Sequence, residues 1–127
     1  MSQPLLAEGV ELGPLRLTVG EVANDRYWAG AGIEHPARRS GFLYPPMAAN
    51  LTVLLVQTQL ADPLLHTAHR LECHRGRLAP ADLFVDGVVT QRFVKRERDY
   101  MVVEAVVSVV GEEALWTSVA TFTPVAR

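Results

Sequence analysis

His66, His69, Cys73 and His74 form the one dense cluster of side chains in this sequence that could hold a metal ion. On an extended strand, His69 and Cys73 share a face while His74 points away, and no pair of carboxylates joins them at zinc-site spacing. No metal is therefore expected. Cys73 is the only cysteine, so neither a disulfide framework nor a cysteine-built zinc site can form within one chain. Asn50 stands in an otherwise apolar stretch, where a buried amide needs partners; it could donate to a ligand or to a neighbouring sheet. The charge run Lys95 to Asp99 reads as an exposed strand end and turn. No glycine-rich phosphate loop, nucleophile elbow or dinucleotide fingerprint is present.

The framework for these residues is small. With 127 residues the chain can bury one sizeable core, so a single domain spanning 1–127 is expected. Hydrophobic residues make up 49% and charged residues 20%, which excludes a disordered or fibrous chain. The net charge of -2 is spread along the sequence, so no broad positive field exists and nucleic acid is not an expected partner. The longest apolar run, Leu51 to Val56, is far short of a bilayer span, and Met1 to Gly20 lacks a basic start followed by a long apolar stretch. No membrane partner is expected, and the expected location is cytoplasmic.

The first half of the chain carries the helical signals. Val22, Ala23, Tyr27 and Ala31 recur at helical spacing, with Glu21 at the favoured acidic end. His35 to Pro46, with Gly41, Ser40 and the Arg38-Arg39 pair, reads as a surface loop. Pro45-Pro46 pre-sets a helix start, and Met47 to Leu60 follows with apolar residues on every side, which predicts a buried helix. The second half is strand after strand: His69 to Leu78, Leu83 to Arg98 with a bulge or bend at Asp86-Gly87, then Tyr100 to Val110 and Ala114 to Thr123 around a turn at Gly111. Pro14 to Val19 supplies a further strand. Met101, Val103, Ala105, Val107 and Val109 fall on one face, as do Trp116, Ala120 and Phe122. Only Met47 to Leu60 is apolar enough to fill that face, so the predicted class is α+β: a curved antiparallel sheet wrapped around a long central helix. Its open edge strand predicts pairing with a second copy, as a dimer.

At these residues a family resemblance enters. Phe93-Val94-Lys95-Arg96-Glu97-Arg98-Asp99-Tyr100-Met101-Val102-Val103-Glu104, leading to the turn at Gly111, resembles the closing hairpins of MaoC-like dehydratases and hydratases. Gly41-Phe42-Leu43-Tyr44-Pro45-Pro46-Met47 resembles the segment that opens the central helix there, in the Pro-Pro form of fatty-acid-synthase-type dehydratase halves. The resemblance covers roughly residues 13–124. It implies a hot-dog fold and (R)-specific addition or removal of water on an enoyl or 3-hydroxyacyl thioester, carried by coenzyme A or by the phosphopantetheine of an acyl carrier protein, in fatty-acid or polyketide metabolism. No further cofactor is implied, and the partner would be a second hot-dog subunit in a homodimer or heterodimer.

Such chemistry needs a base for water, an acid for the alpha carbon and donors for the thioester oxygen. The family supplies the first two as Asp-x-Asn-Pro-x-His just before the Gly-Phe segment, and this sequence lacks that motif. In one register His35 is the catalytic histidine, with Asp25 as its carboxylate and Glu34 as the alternative. In the other, His35-Pro36 matches Asn-Pro, the catalytic positions become Ile33 and Arg38, and the dyad is abolished. The oxyanion donors would be the Met47 and Ala48 amides at the helix start, with Tyr44 and Asn50 beside the substrate. Arg38, Arg39, Arg70, Arg75 and Arg77 are candidates for the carrier's phosphates or plain surface arginines. Three rival functions remain: a hot-dog thioesterase, a non-catalytic hot-dog partner of an active subunit, and a tailoring isomerase or cyclase.

Overall fold

The computed structural model describes residues 5–32 and 34–125. Five strands and three helices follow one another as β1 (Glu11–Val19), α1 (Glu21–Ala31), α2 (Pro36–Arg39), α3 (Met47–Gln57), β2 (Leu64–Cys73), β3 (Ala81–Lys95), β4 (Arg98–Val109) and β5 (Ala114–Pro124). The period-two pattern of β4 decides the layering. Met101, Val103, Ala105 and Val107 are fully buried on one face, and Trp116, Ala120 and Phe122 of β5 continue it. The strands form one antiparallel sheet in the order β1-β3-β4-β5-β2, and α3 packs across its inner face.

Contact between α3 and the sheet is close because two glycines admit it. A Cβ on Gly87 would come within 2.7 Å of the Glu104 carbonyl oxygen and 3.1 Å of Leu55 Cδ2, and one on Gly13 within 2.9 Å of Leu55 Cδ1. Leu55 is thus seated between β1 and β3, fully buried. This corrects the expected bulge at Asp86-Gly87. β3 runs through that point; the extra residues lie across from it, where Gly13 and Pro14 of β1 face Asp86, and at Thr90 between the paired Val89 and Gln91. Gly87 marks a close approach of helix to sheet.

Three further expectations change. The helix ends at Gln57 rather than Leu60, with the Thr58 hydroxyl donating to the Leu55 carbonyl and Leu60 folded back into the core. Its apolar character all round does not mean burial all round, since Leu54 is 44% exposed and Asn50 faces solvent. The buried side chains of α1 are Asn24 and Trp28, while Val22 is largely exposed. The strand expected at His69 to Leu78 instead occupies Leu64–Cys73. β2 is an edge strand with most residues exposed on both faces, so apolar alternation does not delimit it. Among the described residues no helix is long and apolar enough to cross a membrane.

Candidate functional site

The stretch between β1 and α3 builds most of the wall of an apolar cleft. Its folding starts at His35, whose extended backbone makes it the N-cap of α2, with Pro36 at the first helical position where its fixed φ fits. Nδ1 of His35 accepts the Ala37 amide at 3.0 Å. Beyond α2 the chain turns at Gly41 and meets Leu78 in an isolated bridge at Phe42. Two side chains one turn apart on α1 then fasten it. Asn24 Nδ2 and Trp28 Nε1 each donate to the Phe42 carbonyl at 2.8 Å, and the Tyr44 amide donates to Asn24 Oδ1 at 3.0 Å. Asn24 is 3% exposed, so these bonds form away from water. The result is a cleft of about 580 Å³ walled by Trp28, His35, Phe42, Tyr44 and Trp116, with Pro45 and Pro46 also lining it. Its rings are packed on one another: Trp28 and His35 stack at 5.9 Å, and Tyr44 meets Trp28 edge-on at 4.9 Å.

His35 and Tyr44 therefore line the cleft, but the other candidate residues have different partners. Asp25 does not pair with His35. Its two oxygens take Arg38 Nε at 2.8 Å and Nη2 at 3.2 Å, and this hydrogen bonding holds the Asp25 carboxyl below its usual value. Glu34 also turns to Arg38, at 3.6 Å. The guanidinium of α2 thus draws in both carboxylates proposed for His35. The His35-Pro36 cap is the geometry that Asn-Pro favours, since asparagine is a preferred N-cap and proline a preferred first residue, so the backbone fits the register in which Arg38 takes the histidine position. Ile33, the other position of that register, lies outside the described residues.

The helix-start donors are likewise committed. The Met47 amide donates to the Tyr44 carbonyl at 3.1 Å and the Ala48 amide to the Pro45 carbonyl at 3.0 Å, which removes both as ready oxyanion donors. Asn50 is exposed, not buried, and its Nδ2 reaches Tyr27 Oη at 3.3 Å. Of the arginines considered for phosphates, Arg75 is paired with Glu113 and Arg77 with Glu112, as Arg38 is with Asp25.

No family model matches the chain, and no curated protein matches its sequence. Solved structures do match its shape. The HadBC (3R-hydroxyacyl-ACP dehydratase) complex of Mycobacterium tuberculosis contains a chain with a TM-score of 0.79 at 13% identity, covering 97% of this chain and 99% of that one. The (R)-hydratase from A. caviae involved in PHA biosynthesis gives 0.76 at 14%, covering 94% and 98%. A MaoC-like dehydratase from Rhodospirillum rubrum gives 0.70 at 18%, covering 96% and 94%. The chain has the hot-dog fold.

Sequence reasoning missed the polar interior of this hot-dog sheet. Thr52 of α3 and Ser118 of β5 are both fully buried, with their hydroxyl oxygens 2.8 Å apart, and His69 Nε2 lies 2.7 Å from Ser118 Oγ. The Thr52 hydroxyl donates to the Ala48 carbonyl at 2.8 Å. Each hydroxyl has one proton, so one arrangement satisfies all three bonds: Thr52 donates to Ala48, Ser118 to Thr52, and His69 Nε2–H to Ser118. His69 is a donor here and cannot act as the base for Ser118, which argues against a serine nucleophile. The signal was present, since Ser118 interrupts the buried series Trp116, Ala120 and Phe122, but its partner on α3 was not legible. His66 meets His69 edge-on at 5.5 Å, whereas His74 and Cys73 are directed elsewhere. His66 stacks on Phe122 at 5.1 Å, His74 Nε2 lies 2.8 Å from the Thr117 hydroxyl, and Cys73 is exposed.

Burial, aided by the charge of His66, pushes the His69 imidazole below its ordinary value of 6.5. The unfolded chain then binds a proton more readily than the folded one, so stability from this group is full above the ordinary value and declines as pH falls below it. The thermal midpoint is expected to fall on mild acidification. In His69→Gln, which can still donate to Ser118, that pH dependence should be weaker; an identical dependence in both proteins would remove His69 as its source.

Proposed function

We propose that this chain is an acyl-thioester-binding hot-dog subunit of a hydro-lyase, one that holds the acyl group while a second hot-dog chain supplies the acid and base. The observation that carries this reading is the ion pair between Asp25 and Arg38, which leaves His35 in the cleft without a carboxylate partner among the described residues. The apolar, ring-walled cleft supports acyl binding, because ligand pockets are concave and largely apolar with few polar groups. The exposed edge β2 and the open Leu54 on α3 are surfaces that a second hot-dog chain would cover. The HadBC dehydratase, a complex by its name, supports partnering of this kind.

A second reading is favoured by one detail: Nε2 of His35 takes no hydrogen bond among the described residues, which leaves it available to move a proton in the cleft by itself. The chain would then be a weak hydratase or dehydratase in its own right. Offering the purified chain crotonyl and 3-hydroxyacyl thioesters separates the two. The subunit reading expects acyl binding by calorimetry with no turnover in either the wild type or His35→Ala. Turnover by the wild type that is lost in His35→Ala, by about a hundredfold or more, would overturn it in favour of the second reading.

A further inference from the structure

Resting on the reading that the cleft holds an acyl group, we infer that the group it prefers is a flat, uncharged ring system rather than a linear chain. Among the described residues the wall is built mainly from ring side chains, with Leu43 as its one branched aliphatic residue. It is also rigid. The Phe42 carbonyl is held by Asn24 and Trp28, the Tyr44 amide by the side-chain oxygen of the same Asn24, and two prolines, Pro45 and Pro46, are part of the lining. Phe42, 36% exposed, lies so close to Gly76 that a Cβ there would come within 3.1 Å of its ring. That leaves the Phe42 ring flush against backbone and available to a ligand.

A linear chain loses many rotamers on meeting such a surface, whereas a fused ring has few to lose. Offset or edge-on contact between rings also adds attraction beyond area burial, about two- to tenfold in affinity for each such contact. The selection against charge comes from the lining itself: among the described residues that wall the cleft there is no arginine or lysine to receive a free carboxylate on the ligand, and no carboxylate to receive a cation.

The test is calorimetric titration of the whole chain with the N-acetylcysteamine thioesters of naphthoic and undecanoic acids, whose acyl groups have equal numbers of non-hydrogen atoms. The naphthoyl thioester should bind about tenfold tighter. In Phe42→Leu that ratio should fall to about twofold; Tyr44→Leu provides the same readout should Phe42→Leu lose its native circular dichroism. Equal binding, preference for the linear chain, or an unchanged ratio in the folded variants would overturn the inference while leaving acyl binding in place. Binding of neither thioester would overturn the acyl-binding reading and the inference with it.

Discussion

Leu55→Ala is expected to destabilise the protein by about 2 to 5 kcal/mol, read as a lower midpoint in chemical denaturation. The upper half of that range is favoured by the surroundings. Both methyl groups of Leu55 lie against glycines, Cδ1 toward Gly13 and Cδ2 toward Gly87, and glycines have no side chain with which to fill the space left behind. The adjacent Leu54 is the internal control. It is 44% exposed, so Leu54→Ala should change stability by no more than about 0.5 kcal/mol in the isolated chain. Equal effects at the two positions would contradict the placement of α3 on the sheet.

Asn24→Ala is expected to cost about 1 to 3 kcal/mol, because it removes a donor from the Phe42 carbonyl and leaves the partly buried Tyr44 amide without its acceptor. Loss of stability should come with loss of acyl binding, since the same bonds hold the cleft wall. Asn24→Asp separates the two roles of the side chain. It keeps an oxygen for the Tyr44 amide but sets a second oxygen against the Phe42 carbonyl, which retains only the Trp28 donor. Asn24→Asp should therefore also be destabilised at neutral pH. If Asn24→Ala retains the wild-type midpoint and affinity, the clamp is not what shapes the cleft.

The sheet was legible wherever one face is buried. In β4 and β5 the alternation of Met101 to Val109 and of Trp116 to Phe122 gives strand, face and pairing partner together, because each inward position must be apolar. β2 was misplaced for the converse reason: an edge strand exposed on both faces has no such constraint. The burial of α3 was read from hydropathy alone, which cannot say that Leu54 faces outward. In the site, His35 stood out by residue type and by its place before α3, and it does line the cleft, but the partner of Asp25 was not legible. Whether Asp25 meets His35 or Arg38 depends on how α1 crosses α2, and sequence spacing does not specify that crossing. Asn24 and Trp28 carried a readable signal, two hydrogen-bonding side chains one helical turn apart, but the carbonyl they share lies beyond a loop.

The arrangement of the mouth bears on how such a protein diversifies. α1 and α2 make few contacts with the sheet or with α3, and the segment they belong to is tied down mainly by the Asn24 and Trp28 bonds and by the Phe42–Leu78 bridge. Residues 20–46 supply most of the cleft wall and the position where an acid–base pair would stand, while the remaining strands and α3 supply most of the buried apolar mass. Apart from the fastening residues Asn24 and Trp28, substitutions in the mouth are consequently mild for folding and consequential for the cleft, and those in the sheet are the reverse. A lineage can therefore exchange its catalytic equipment and its taste in ligands by redrafting one surface segment, with the scaffold passing unchanged from one trade to the next.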